Sequence, residues 1–330
     1  MPTTELLNRA CGGDLTAFDQ LIEPYRRELE LHCYRMLGSR QDAEDAVQDT
    51  LLAAWQGIGE FEGRSSVRTW LYRIATRRCL NILRAHRRRL SVPMPVDIAA
   101  PPPTMFAEVT WIDPYPDADL DQIPDTAPSP YARYAAAEAI SLAFVTALQL
   151  IPPQQRAVLL LRDVLGFSAK QAALALNVSV DSVNSALKRA RAGVGRRLPA
   201  RREPPPVPNS VEERDLVERL TCAYLAGDVA AIVALFTEDA WLTMPPIPLA
   251  YQGRESIAGF LTEVAFTDSR AYRLVPTRAN GQLALAAYVF DAQWAERANG
   301  LLVLTLTGNR IIAMTRFPGT VLARFGLPGQ

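Results

Sequence analysis

Cysteine is scarce in this 330-residue chain: four residues, at 11, 33, 79 and 222, with no C-x-x-C spacing among them. That excludes a disulfide scaffold and a zinc framework, and the four are expected to be reduced thiols. Histidine is scarcer. His32 and His86 both lie in the first third, which removes imidazole from any acid–base or metal chemistry further along. Neither a metal nor a cofactor is expected. No apolar run approaches the roughly 20 residues needed to cross a bilayer, and Met1 to Arg9 is too polar for a signal peptide. A cytoplasmic protein with no membrane partner is expected. Net charge is also lacking, with 35 basic and 35 acidic side chains, which by itself gives no reason to expect nucleic acid.

The average hides segregation. Between Arg64 and Leu90 stand nine arginines (64, 68, 73, 77, 78, 84, 87, 88, 89) without one acid. Lys188 to Arg202 holds seven cations, again without an acid, whereas Asp113 to Asp125 carries five aspartates and no base. Two basic patches and an acidic strip are what partners would meet. Residues 211–330, with 12 acids and 10 bases, are nearly neutral and need a different role.

From Leu15 to about Arg89 the apolar periodicity is helical almost throughout, interrupted at Gly38-Ser39. In the helix that follows, Ala43, Ala46, Val47, Leu51, Ala54 and Trp55 are apolar, while Asp42, Asp45 and Asp49 line another face. Carboxylates near a helix start are favoured by the macrodipole alone; the functional alternative is a docking surface for a basic partner. After a loop over 57–66, SVRTWLYRIATRRCLNILRAHRRR predicts a buried side of Trp70, Leu71, Ile74 and Leu80 or Leu83. Arg73, Arg77, Arg78, Asn81 and Arg84 crowd the rest. Arginines at this density repel one another, phosphates relieve the repulsion, and Trp70 and Tyr72 beside them are expected to stack on unpaired bases.

Residues 91–130 are proline-rich and acidic (PMPV, APPP, WIDPYPD) and read as a linker that buries no core, with Trp111, Ile112 and Tyr115 as short anchors. Helix returns over Tyr131–Leu150, breaks at Ile151-Pro152-Pro153 and resumes over Gln154–Leu165. The stretch FSAKQAALALNVSVDSVNSALKRAR (167–191) then reads as two short helices around a tight turn. Ser168 is the expected N-cap, Asn177 the left-handed turn residue, and Val180 the start of the second helix. Val183, Leu187 and Ala190 form its buried stripe, turning Ser182, Ser185, Lys188 and Arg189 outward. This is a helix-turn-helix with a recognition face for DNA.

A second linker, ARREPPPVP (200–208), precedes a different composition. Helices are predicted over Val211–Ala226, Val229–Phe236 and Ser256–Val264, with a strand over Ala240–Met244. Alternating runs then follow at Tyr272–Thr277, Leu283–Phe290, Leu301–Thr307 and Ile311–Phe317, separated by Asn280-Gly281, Asn299-Gly300 and Gly308-Asn309. That order predicts a small α+β domain. Its candidate acids, Asp239, Asp291 and Glu296, read as surface carboxylates, Asp239 capping or ending a helix. Trp241, Met244, Tyr251, Phe260, Phe290, Trp294 and Phe317 are candidates for a pocket lining or, more simply, for core.

These residues carry a family resemblance. DAEDAVQDTLLAAW (42–55), FEGRSSVRTWLYRI (61–74) and ATRRCLNILR (75–84) resemble region 2 of sigma-70 family RNA polymerase sigma factors of the extracytoplasmic-function type. LQLIPPQQRAVLLLRDVLGFS through SVNSALKRAR (148–191) resembles region 4. The resemblance implies that Asp42, Asp45, Asp49 and Trp55 dock on the clamp of the polymerase largest subunit, with the flap a further polymerase contact. It implies that Phe61, Arg64, Ser65, Arg68, Trp70, Arg73, Arg77, Arg78, Asn81 and Arg84 meet the −10 promoter element, melted and duplex. Ser182, Asn184, Ser185, Lys188, Arg189 and Arg191 would meet the −35 duplex. Many members carry a basic residue near Asn184 or Ala186, which this chain lacks. Residues 209–320 resemble SnoaL-like, polyketide-cyclase-type cone domains through AYLAGDVAAIVALFTEDAWLTMPP and YQGRESIAGFL. In some sigma factors such a tail is thought to contact regions 2 and 4 and modulate activity, and WIDPYPD resembles a motif of that subgroup.

The expected architecture is therefore two all-α domains, the second a helix-turn-helix, followed by an α+β cone with a curved antiparallel sheet. The expected divisions are region 2 (1–90), linker (91–130), region 4 (131–199), linker (200–208) and tail (209–330). No enzymatic activity is expected. The alternative is a DNA-binding regulator fused to an enzymatic or small-molecule-sensing cone, which would have no use for the aspartate face or the arginine-rich helix.

Overall fold

The computed structural model describes residues 3–89, 100–108, 111–120, 139–198, 203–267, 270–290 and 295–329, with the backbone alone at 3 and 86–89. They form two compact units: the described residues within 1–92, 122–139 and 144–197, and those within 93–121, 140–143 and 198–330.

The first unit is helical. After α1 (Thr3–Cys11), helix α2 (Leu15–Leu37) opens at Asp14, whose Oδ1 accepts from the Ala17 N–H at 3.0 Å. It stops where Gly38 turns left-handed at φ 75°, a conformation open to glycine without a Cβ clash. Ser39 then caps α3 (Arg40–Gly57), its Oγ accepting from the Asp42 N–H at 3.2 Å. Helix α4 (Val67–Arg89) starts at Ser66, whose Oγ accepts from the Thr69 N–H at 3.1 Å.

The inner face of α4 is rotated from the predicted one. Leu71, Tyr72, Ala75, Thr76 and Cys79 are buried, and Trp70 is half-buried. Tyr72 is 0% exposed. It is therefore a core residue and not a stacking platform, because its hydroxyl finds an internal acceptor in Glu28 Oε2 at 3.1 Å. His32 packs edge-on against it at 5.1 Å and sets Nε2 2.9 Å from Thr76 Oγ1. Burial, reinforced by Arg35 and Arg68, pushes the His32 pKa down to about 3. The unfolded chain takes up a proton near pH 6.5 that the folded chain refuses, so stability falls as pH drops below 6.5. From pH 6.5 to 5 the loss is about 2 kcal/mol. Denaturant titrations at pH 7 and pH 5 should show that loss in the wild type and a smaller one in His32→Leu; equal losses would contradict it.

Helix α5 (Leu142–Gln149) follows, with residues 131–138 of the predicted helix lying outside the described residues. Helix α6 (Pro153–Leu159) continues into a wider turn in which the Leu165 N–H reaches Leu160 O at 2.9 Å. α7 (Ala169–Leu176) and α8 (Val180–Gly195) begin where predicted. Ser168 and Gln171 cap α7 reciprocally, and Asn177 adopts φ 56°. Within this unit α7 packs on α4. Phe167, 4% exposed, stands edge-on to Tyr72 at 5.6 Å. Arg156, 3% exposed, donates to Met36 O at the end of α2 and through Nη2 to Gln149 O at 3.1 Å. Burial lowers its pKa to about 10.

The second unit is a helix-backed sheet. α9 (Val211–Ala226) and α10 (Val229–Ala234) cover seven strands in the order β1-β3-β2-β7-β6-β5-β4. The strands are β1 (Met105–Phe106), β2 (Phe236–Met244), β3 (Ile247–Gln252), β4 (Tyr272–Ala279), β5 (Gln282–Phe290), β6 (Glu296–Thr307) and β7 (Arg310–Pro318), with α11 (Arg254–Phe260) between β3 and β4. β4 to β7 form the predicted antiparallel meander, but β2 pairs β7 in parallel. The sheet is mixed because the chain leaves the β2–β3 hairpin through α11 and re-enters at the far edge. β2 starts earlier than predicted, so Asp239 lies exposed in a strand and caps no helix. Leu216, Leu220, Phe236, Leu285, Leu304 and Ile311 anchor the core.

Asn280-Gly281 makes the predicted two-residue turn, both residues at positive φ (57° and 67°). Asn299-Gly300 does not: it lies inside β6, opposite the Ala287/Tyr288 register shift. A Cβ at Gly300 would stand 2.5 Å from Phe317 O, so glycine serves strand approach there and not chain reversal.

The proline-rich stretch departs furthest from expectation. Its described residues do pack. β1 adds to the edge of β3, the Tyr251 hydroxyl donates to Pro101 O at 2.8 Å, and Ile112 (5%) and Tyr115 (0%) are buried. Tyr115 and Asn280 exchange two hydrogen bonds at 2.8 Å. Asp117 accepts from the Gly281 N–H at 2.8 Å and pairs with Arg278, and Asp113 pairs with Arg324. The aspartates therefore latch this strip onto the tail sheet, while Trp111 remains 60% exposed.

Candidate nucleic-acid interface

On the outer face of α4, Trp70, Arg73, Arg77, Asn81 and Arg84 recur at i, i+3, i+7, i+11 and i+14, a single helical stripe. The cations and Asn81 are exposed. Arg84 Nη1 donates to Asn81 Oδ1 at 2.7 Å. Arg73, Arg77 and Arg78 make no ion pair among the described residues. Partial burial and then the like charge of Arg73 lower the Arg77 pKa. At the head of the stripe Phe61 and Trp70 pack at 5.2 Å, below an exposed loop in which Gly63 is left-handed and Arg64 pairs with Glu62 at 2.8 Å. Ser65 is exposed in that loop.

Arg68 is different. Its Nε lies 3.2 Å from Glu28 Oε2, and its guanidinium covers Tyr72 at 4.9 Å and Phe167 at 5.5 Å. It is committed to packing within the unit and not to the stripe, since it sits on the side of α4 turned to α2 and α7.

On α3, Gln41, Asp45, Gln48, Asp49, Leu52 and Gln56 make one exposed face, with Asp42 half-buried at its edge. Leu52 is 57% exposed amid these acids, an apolar residue that periodicity alone assigns to no face. Trp55 is half-buried and held edge-on by Phe18 at 5.2 Å. An exposed leucine bordered by Asp45, Asp49 and three glutamines has the make-up of a contact patch with a polar rim.

On α8, Ser182, Asn184, Ser185, Lys188 and Arg189 are exposed while Val183, Ala186, Leu187 and Ala190 are buried. Burial of Ala186 leaves Asn184 as the relevant non-basic position on the open face. Ser182, Ser185 and Arg189 share a shallow groove with Gln154 and Val158 of α6. Arg191 is drawn off this face by a two-pronged ion pair with Asp163 at 2.7 and 2.8 Å.

In the tail a cavity of about 170 Å³ opens beside β2, β6 and β7. Of the expected pocket residues, Met244 and Phe260 line it. Trp241 and Phe317 do not, because strand alternation turns them from Leu242, Met244, Met314 and Arg316, which do. Tyr251 does not line it either, its ring packing on Phe260 at 4.9 Å and its hydroxyl bonded to Pro101 O. Phe290 is half-buried at the end of β5, and Trp294 and Asp291 lie outside the described residues. Glu296 is tied to Arg273 at 2.8 Å.

Residues 21–89 match the family model for Sigma-70 region 2, and residues 141–192 the one for Sigma-70 region 4. Across 324 residues the chain is 40% identical to the ECF RNA polymerase sigma factor SigG of Mycobacterium tuberculosis, covering 96% of this chain and 84% of that protein. The chain belongs to the extracytoplasmic-function (ECF) family of RNA polymerase sigma factors. SigM of the same organism matches this sigma factor at 33% identity over 59% of its length and 83% of SigM. The crystal structure of M. tuberculosis SigJ shares its fold over 94% of this chain and 99% of that one, with a TM-score of 0.60 at 20% identity. As a sigma factor it binds core RNA polymerase and directs it to promoters. No helix among the described residues is long and apolar enough to cross a membrane.

Proposed function

We propose that the stripe Trp70, Arg73, Arg77, Asn81 and Arg84 carries the −10 element of the promoter through melting, and that α8 carries the −35 element. The observation that supports this most is the run of arginines on one helical face, without an ion pair among the described residues and headed by an aromatic pair. Unpaired cations there meet phosphates, while Phe61 and Trp70 offer a ring face to a base that has left the stack. The loop with Arg64 and Ser65 borders that pair. On α8 the contacts fall to Ser182, Asn184, Ser185, Lys188 and Arg189 in the major groove.

The α3 face is the polymerase dock, at the largest-subunit clamp, with region 4 addressing the flap. Leu52→Glu is expected to weaken core-polymerase binding by about 1–3 kcal/mol, since truncating or charging a central anchor removes most of what a small patch contributes. Asp45→Asn alone, on the rim, should cost under about 1 kcal/mol. Fluorescence anisotropy with purified core enzyme checks the order; equal effects would remove Leu52 from the interface.

The tail is a non-catalytic modulator acting in the cytoplasm. Its cavity is lined by no carboxylate, histidine or cysteine among the described residues. Its sheet also holds the residues leading into region 4, with Gln282 Oε1 accepting from the Leu142 N–H at 2.7 Å and Asn280 Nδ2 donating to Ile140 O at 2.9 Å. Removing residues 209–330 should change promoter-specific output with core polymerase severalfold, and Gln282→Ala should move it in the same direction. Unchanged output in both would set the modulator role aside.

A further inference from the structure

The tail cavity contains a cation that pairs with no carboxylate among the described residues. Arg316 on β7 lines it, half-buried, and spends only Nη2, on Asn299 O at 3.0 Å and Asn299 Oδ1 at 3.1 Å. Both acceptors are neutral. Its Nε and Nη1 find no acceptor, and no carboxylate pairs with it, among the described residues. The two tyrosines beside it do not neutralise it. Burial raises the pKa of Tyr224 and Tyr272, which keeps both protonated, and their hydroxyls are directed to Met314 Sδ and Ala265 O. Desolvation lowers the Arg316 pKa, the mark of a guanidinium taken from water without a charged partner. A desolvated charge left unpaired is costly, and the cost is recovered when an anion enters.

The rest of the lining says what kind of anion. Leu242, Met244, Phe260, Leu302 and Met314 are apolar, and Arg270 is the other cation of the lining. A dianionic phosphate ester would place a second charge against methionine and leucine, since Arg270 is exposed and Arg316 alone is the half-buried cation of the lining. A volume of about 170 Å³ is close to the roughly 150 Å³ of an apolar cavity that holds one benzene ring. We propose that the tail binds a small monocarboxylate whose body is a single ring or an equally compact hydrocarbon, the carboxylate meeting Arg316 and the body lying among Leu242, Met244, Phe260 and Met314.

The experiment uses the full-length protein and benzoate as probe, followed by isothermal titration calorimetry, with benzyl alcohol and inorganic phosphate alongside. Benzoate should bind saturably with Kd of about 0.1–1 mM, within reach of a ligand of this size. Arg316→Gln should weaken it about tenfold or more, the loss expected for one charge-assisted contact. Ala287→Leu, which fills the cavity from β5, should also remove it. Benzyl alcohol should bind at least about tenfold more weakly than benzoate to the wild type and be little changed by Arg316→Gln. Absence of benzoate binding, equal binding of benzyl alcohol, or phosphate binding as tightly as benzoate would each overturn the proposal. Should Arg316→Gln fail to fold by circular dichroism, the three probes on the wild-type chain still decide it.

Discussion

Arg73→Ala combined with Arg77→Ala is expected to leave this sigma factor folded and bound to core polymerase, yet reduce open-complex formation on duplex promoter about a hundredfold. Both side chains are exposed and make no ion pair among the described residues, so their loss costs the fold less than about 0.5 kcal/mol and relieves their mutual repulsion. Each contributes about 1–3 kcal/mol if it touches promoter DNA, and some 3 kcal/mol together is roughly two orders of magnitude. Two lost phosphate contacts should also lower the slope of log affinity against log salt by about 2. A solvated helix face would give neither change. Stopped-flow fluorescence of a base analogue in the −10 element, at several salt concentrations, reads both.

The second large effect concerns Phe167. The −10 and −35 elements lie about 25 base pairs apart, roughly 85 Å along B-DNA at 3.4 Å per pair. A compact unit of about 160 residues is only some 40 Å across. On the assignment proposed above, the α4 stripe and α8 cannot engage both elements while Phe167 stays against Tyr72 and Arg68 and Arg156 bonds to Met36 O. That assignment requires the helical unit to open at this seam. Phe167→Ala removes a buried ring whose contribution is about 2–3 kcal/mol and so favours the open form. Apparent affinity scales with the fraction already competent, and a gain of about tenfold for the polymerase–promoter complex is expected, together with a larger radius of gyration by small-angle scattering. An unchanged radius with lower affinity would mean that Phe167 serves only the helix-turn-helix core.

Much of this was legible in the residues. Local signals held wherever chemistry within three or four residues decides the backbone: Gly38-Ser39, the Ser168 cap, Asn177 and the Asn280-Gly281 turn. The arginine stripe and the aspartate face follow from helical spacing alone. What failed was decided by distant partners. Tyr72 looks like a surface aromatic until Glu28 supplies its acceptor. The contacts of Arg68 with Glu28 and Phe167, and of Arg191 with Asp163, are equally invisible in helical spacing. Gly300 resembles a turn glycine because the approach of β7 is invisible in sequence. The proline-rich strip seemed unable to pack because its partners, Tyr251, Asn280 and Gly281, lie more than a hundred residues away. Leu52 falls outside the apolar set that helical spacing turns inward, and spacing attaches no role to a lone exposed leucine.

The most direct measurement is run-off transcription by purified core polymerase on a library of promoter fragments, with the wild-type chain and with the Arg73→Ala/Arg77→Ala variant. A discrete transcript that requires the wild-type chain, is lost with the variant on duplex templates and returns on a template already melted at −10 is the expected result. Transcripts of equal strength with both proteins on duplex DNA would contradict the assignment of promoter melting to α4.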